Sequence, residues 1–109
     1  MTRLALFAAV SVLATSALAY ELTTVDQLQP YEQAALKGTV ERVTDDDTFV
    51  FRDSTGTIRV YIGPHRMPVS VGEVITVKGQ LDDDLPREIY ADQLVLPDGQ
   101  VVEVGGPYE

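Results

Sequence analysis

The chain has 109 residues, no cysteine, and 17 acidic against 8 basic side chains, a formal charge of −9. Such an excess of carboxylate argues against partners held by phosphate neutralisation, nucleic acid or an anionic membrane surface, and favours small cations, basic proteins or plain solubility. With no disulfide available, a domain of this size must be held by its apolar core.

In chain order, Arg3 precedes an apolar run from Leu4 to Ala14, and Ala17-Leu18-Ala19 has the small-x-small pattern of a signal-peptidase site. Residues 1–19 read as a cleaved signal peptide, too short for a bilayer anchor, and residues 20–109 as one exported domain. Removing Arg3 brings its formal charge to about −10. The leader by itself does not separate a bacterial periplasm from full secretion.

Thr23 or Thr24 stands where a cap would open a short helix over Val25–Leu28, with Gln27 at capping-box spacing from Thr24 and Pro30 limiting the helix. After it the period changes to two. LKGTVERV (36–43) and TFVFRD (48–53) alternate as strands, and DSTG (53–56) turns the second into TIRVYI (57–62). GPHRMPVSVGE (63–73) is too broken by proline and glycine to be regular and serves as a connector. VITVKGQL (74–81) and REIYADQLVL (87–96) are the next strands, and PDGQ leads into a possible further one at 101–104.

Five or six short strands and one short helix define an all-β chain, and a small closed barrel buries their apolar faces with least open edge. Gly38 and Gly79 lie within strands, where a missing side chain permits the bend that closure requires. Phe49, Phe51, Ile58, Val60 and Ile62 then point inward. Lys37, Thr39, Glu41, Val50, Arg52, Arg59 and Tyr61 form the outer face, on which Arg52, Arg59 and Tyr61 make a hydrogen-bonding and stacking patch or simply pair across the hairpin.

The stretches LKGTVERVTDDDTFVFRDSTGTIRVYI, GEVITVKGQLDDD and EIYADQL resemble the bacterial OB-fold family of periplasmic stress-tolerance proteins. The resemblance runs from about Val25 to Leu96. It implies a five-stranded Greek-key barrel of OB type, a periplasmic location and a binding role without catalysis. The chain departs from the family in the connector, where a basic, tryptophan-containing segment is replaced by GPHRMPVS, and in its C-terminal hairpin.

Asp45, Asp46 and Asp47 form one acidic turn and Asp82, Asp83 and Asp84 another. In an OB barrel the first and fourth interstrand loops flank one binding face, so the two triplets are expected to meet at its mouth and to attract a small cationic ligand or a basic protein, with Arg42, Arg52 and Arg87 as local counter-charges. Three other readings stand beside this one. The triplets can be solvated turns, since Asp favours turns. They can form a structural calcium site, although neither has the alternate spacing or glycine of an EF-hand loop. The barrel can bind single-stranded nucleic acid, which the charge opposes. No nucleophile, base and orienting acid fall at useful spacing, and the sole histidine, His65, lies in the connector, so neither enzyme activity nor a cofactor is expected.

Overall fold

The computed structural model describes residues 19–106, so the expected leader, apart from Ala19, lies outside the described residues. Among the described residues there are seven strands: β1 (Glu21–Leu22), β2 (Gln33–Asp45), β3 (Thr48–Asp53), β4 (Gly56–Tyr61), β5 (Val74–Leu81), β6 (Glu88–Val95) and β7 (Val101–Glu103). β2, β3, β4, β6 and β5 are neighbours in that order, and β5 pairs back onto β2. Five strands thus close into a barrel. All its pairings are antiparallel except β4 with β6, which is parallel.

Closure depends on β2, whose 13 residues exceed the predicted strand at both ends. Gln33 to Thr39 pair with β5 and Thr39 to Asp45 with β3, so the strand passes from one side of the barrel to the other near Gly38. A Cβ on Gly38 would run into the Arg52 carbonyl and stand 2.8 Å from the Phe51 ring. Gly79 sits at a register shift between β5 and β6, and its Cβ would meet the Tyr90 carbonyl and, at 2.8 Å, Ala91 Cα. At both positions the neighbour is backbone and cannot turn aside.

Phe49, Phe51, Ile58, Val60 and Ile62 are buried as the alternation predicts, and they pack with Leu36, Val40, Ile75, Val77, Ile89 and Leu94. Val50 is a correction: expected on the exposed face, it is buried. It belongs to the outer face by alternation but lies on the floor of a cleft whose far wall is Leu85–Arg87.

The predicted helix is another correction. Only a 3-10 turn forms, Val25–Gln27, and the Thr24 hydroxyl donates to Asp26 Oδ1 at 2.7 Å instead of accepting from the turn. What anchors the turn is Asp53. Its Oδ2 accepts from the Val25 amide at 2.9 Å, while its Oδ1 accepts from the Thr55 amide and hydroxyl and, at 3.2 Å, from the Gly56 amide. One carboxylate therefore fixes both the β3–β4 turn and the segment that plugs the barrel with Val25 and Leu28.

β1 was not foreseen; it pairs parallel to β2 through Ala34 and Ala35. The expected C-terminal strand forms as β7 along β6. Among the described residues, no helix is long and apolar enough to cross a membrane.

Two outcomes follow. Gly79→Ala should lower stability by about 1–3 kcal/mol, the range for overpacking a filled site, read as a lower urea midpoint with an unchanged slope. Asp53→Ala should cost about 1–3 kcal/mol at pH 7, the range for leaving charge-assisted hydrogen bonds unmade. Burial pushes the Asp53 carboxyl up, but the Thr55 hydroxyl and the Val25, Thr55 and Gly56 amides outweigh it and hold the group below its ordinary 3.8. Its contribution is therefore present above that value and fades as the pH falls through the folded one, so wild type and Asp53→Ala should converge in acid.

Candidate functional site

The two acidic loops are built differently. Asp45 closes β2 opposite Thr48, and Asp47 holds the turn by accepting from the Thr48 hydroxyl at 2.9 Å and, through its carbonyl, from the Ile62 amide at 2.8 Å. In the second loop Asp82 Oδ1 accepts from the Asp83 amide at 2.9 Å, and Asp83 is hydrogen-bonded to the Tyr31 hydroxyl. The carboxylate oxygens of Asp82, Asp83 and Asp84 can all lie within 4.8 Å of one another.

The loops share an electrostatic neighbour in Glu88. Burial pushes its carboxyl above the ordinary range, Arg59 at 3.5 Å opposes this, and Asp82 and Asp47 reinforce it. One aspartate from each triplet thus acts on the same group.

Among the clefts formed by the described residues, two adjoin the acidic loops and the β4–β6 pair. The first, of about 740 Å³, is lined by Arg42, Thr44 and Asp45 on one side, Val50, Thr57, Ile58 and Arg59 across the floor, and Leu85, Pro86 and Arg87 on the other side. Both loops contribute walls, but Asp45 is the sole member of either triplet in the lining, against three arginines. The arginines expected to neutralise the triplets are engaged elsewhere. Arg42 and Arg52 both pair with Glu41, at 3.2 and 3.5 Å, and Arg87 donates to the Val25 carbonyl at 2.9 Å.

The second cleft, of about 580 Å³, is lined by Tyr61, Gln80, Tyr90, Ala91, Asp92, Gly105 and Gly106. The parallel register of β4 and β6 creates it. Arg59 lies opposite Glu88, and one outward step along both strands Tyr61 lies opposite Tyr90. The tyrosine rings stand 5.4 Å apart at 52°, a tilted aromatic corner. Charges crowd this corner: Asp82 first, then burial, Glu88 and Asp84 push the Tyr90 hydroxyl above its ordinary 10.0.

The far wall comes from the C-terminal segment. Val104 donates to the Asp92 carbonyl, Gly105 donates to the Ile62 carbonyl at 2.7 Å, and His65 Nε2 donates to the Gly105 carbonyl at 2.7 Å. At φ +87°, with an added Cβ 2.6 Å from the Ala91 carbonyl, Gly105 has no room for a side chain. His65 is thus a staple for the tail. Below the cleft the Tyr20 hydroxyl donates to Asp92 at 2.9 Å; burial first, then that bond and the charges of Asp92 and Glu103, push it up to about 12.

Of the residues singled out by sequence, Asp45 and Arg59 reach the first cleft and Tyr61 the second, while Asp82, Asp84 and Asp47 act at the border between them. Asp46 stays exposed at the turn, and Arg52 pairs with Glu41 outside both linings. Tyr90, Asp92, Gln80 and the C-terminal wall were missed. Tyr90 alternates outward with Glu88 in EIYADQL, which is a signal, but its partner depends on the parallel register.

Because the fold holds the Glu88 proton more tightly than the unfolded chain does, the stability linked to it is complete below its ordinary 4.5 and is lost as the pH rises through the folded value. Glu88→Gln, always neutral, should therefore melt at a higher temperature than wild type at pH 7, and the two should melt together near pH 3.

The comparisons with known proteins agree with this architecture. A family model described as bacterial OB fold protein matches residues 14–95. A solved structure of a hypothetical protein, ygiW from E. coli, is similar at 29% identity and a TM-score of 0.58, over 75% of this chain and 90% of that one. No curated protein is a significant match. β7 and the glycine wall of the second cleft lie beyond the matched residues. By strand order, closure and this match, the chain belongs to the bacterial OB-fold family.

Proposed function

We propose that this chain is a non-catalytic binding protein, exported by its N-terminal leader to the periplasm as one OB-type domain over residues 20–109. Its ligand is a small organic cation, or an ammonium-bearing side chain of a basic protein partner, seated against Tyr61 and Tyr90. A stress-tolerance role follows from family resemblance alone. The observation that carries the reading is the tilted pair of tyrosines, 5.4 Å apart, with Asp82, Asp84 and Glu88 acting on Tyr90 and Asp92 in the cleft wall.

A ring face attracts a cation through its quadrupole, by about 0.5–2 kcal/mol depending on desolvation. In a tilted pair the face of one ring attracts the cation while the second ring closes the corner, and the surrounding carboxylates raise the cation's local concentration. Because a compact ammonium such as lysine is strongly hydrated, an alkylated ammonium, which sheds water more easily, is the better fit for this corner. Neither cleft lining contains serine, cysteine or histidine.

A second reading, a divalent cation on Asp82, Asp83 and Asp84, has one support, the 4.8 Å spread of their oxygens. Against it, Asp82 already accepts from the Asp83 amide and Asp83 is bonded to Tyr31, so two of the three carboxylates are partly committed.

Calorimetric titration separates these readings. Choline should bind, and 3,3-dimethylbutan-1-ol, which has the same shape without charge, should not. Tyr90→Ala should weaken choline about tenfold, which corresponds to 1.4 kcal/mol. Equal binding of the alcohol, or choline binding indifferent to Tyr90→Ala, rejects the aromatic site. A calcium-induced rise in melting temperature that a chelator reverses supports the second reading instead.

A further inference from the structure

We infer that the first cleft is a separate site for a small soluble organic oxyanion, a phosphate or carboxylate head carried on an aliphatic body. Its charge is opposite to that of the molecule. In a chain with formal charge −9, this cleft gathers Arg42, Arg59 and Arg87 against Asp45 alone. The neutralisation of these arginines is incomplete: Arg42 shares Glu41 with Arg52, Arg59 meets Glu88 only at 3.5 Å, and Arg87 is bonded to a neutral carbonyl. Guanidinium groups present planar forks of donors that match carboxylate and phosphate oxygens, and all three come from different strands or loops around one space.

The apolar half of the ligand is read from the floor and the rim. Val50 is buried beneath the cleft, and Leu85 stands at its edge 85% exposed, the most exposed large hydrophobic side chain among the described residues. The fold gains nothing by holding Leu85 in water, whereas closing over an aliphatic chain removes its surface from solvent. No aromatic residue lines the cleft, so stacked bases find no platform there and the nucleic-acid use of this face loses its main source of base contact. The negative charge of the whole chain, in turn, opposes an anionic bilayer, which leaves a soluble ligand.

This site does not rest on the aromatic one, and the probe can report on them separately. Hexyl phosphate, used below its micelle concentration, is titrated into ¹⁵N-labelled protein. The amides of Val50, Arg59 and Arg87 should shift, whereas those of Tyr90 and Gly105 should not. Arg42→Gln with Arg59→Gln, at side chains 61% and 49% exposed, should weaken binding tenfold or more in a variant that still melts cooperatively, with some loss of melting temperature because Glu88 loses its counter-charge. Leu85→Ser should weaken hexyl phosphate and leave inorganic phosphate unchanged, and Tyr90→Ala should have no effect. The proposal is overturned if hexanol binds as well as hexyl phosphate, if the arginine double variant binds as wild type does, or if the protein sediments with phosphatidate vesicles without binding the soluble probe.

Discussion

The passage of β2 across the barrel is the constraint from which the rest follows. Its first half pairs with β5 and its second with β3, and the backbone can make that change of partner because position 38 has no side chain to strike the Arg52 carbonyl. Gly79 performs the matching service between β5 and β6. With both ends of the sheet joined, the remaining pairing, β4 against β6, is forced to be parallel. That single parallel ladder determines which outward side chains become neighbours.

Two consequences of the ladder are chemical. Successive outward register positions pair Arg59 with Glu88 and Tyr61 with Tyr90, so an ion pair and an aromatic pair are stacked along one groove. The ion pair divides the outer face. On one side arginines dominate, on the other carboxylates and tyrosines, and Glu88 at the boundary feels Arg59 as well as Asp82 and Asp47. A uniformly acidic protein would have no such division; here the net charge conceals two regions of opposite sign.

Much of the barrel was legible in the sequence because strand signals are local. Period-two alternation located Thr48–Asp53 and Val74–Leu81 residue for residue, and the inward set from Phe49 to Ile62 followed from it. The helix at Val25 failed because a capping box needs a helix long enough to use it, and Asp53, 28 residues away, offers the Val25 amide a better partner. Val50 failed because alternation tells which face a side chain is on, but not whether a loop covers that face. Of the candidate clefts, the placement of the loops was legible in part. Chain topology allowed the two acidic loops to be assigned to one end, and Thr44 and Asp45 do share a cleft with Leu85–Arg87. Of the arginines read as counter-charges to aspartate, Arg42 and Arg87 line that cleft while bonded to Glu41 and the Val25 carbonyl, and Arg52 pairs with Glu41 outside it. Tyr90 and the C-terminal wall escaped notice because their roles arise from a register and a tail interaction that no local pattern encodes.

Whether the paired tyrosines form a cation-binding corner is tested most directly by intermolecular nuclear Overhauser effects from choline to the protein. The N-methyl protons should give cross-peaks to the ring protons of both Tyr61 and Tyr90, and Tyr90→Ala should abolish them. Cross-peaks confined to the Asp45–Asp47 turn or the Asp82–Asp84 loop, or none at either ring at saturating choline, would contradict the assignment.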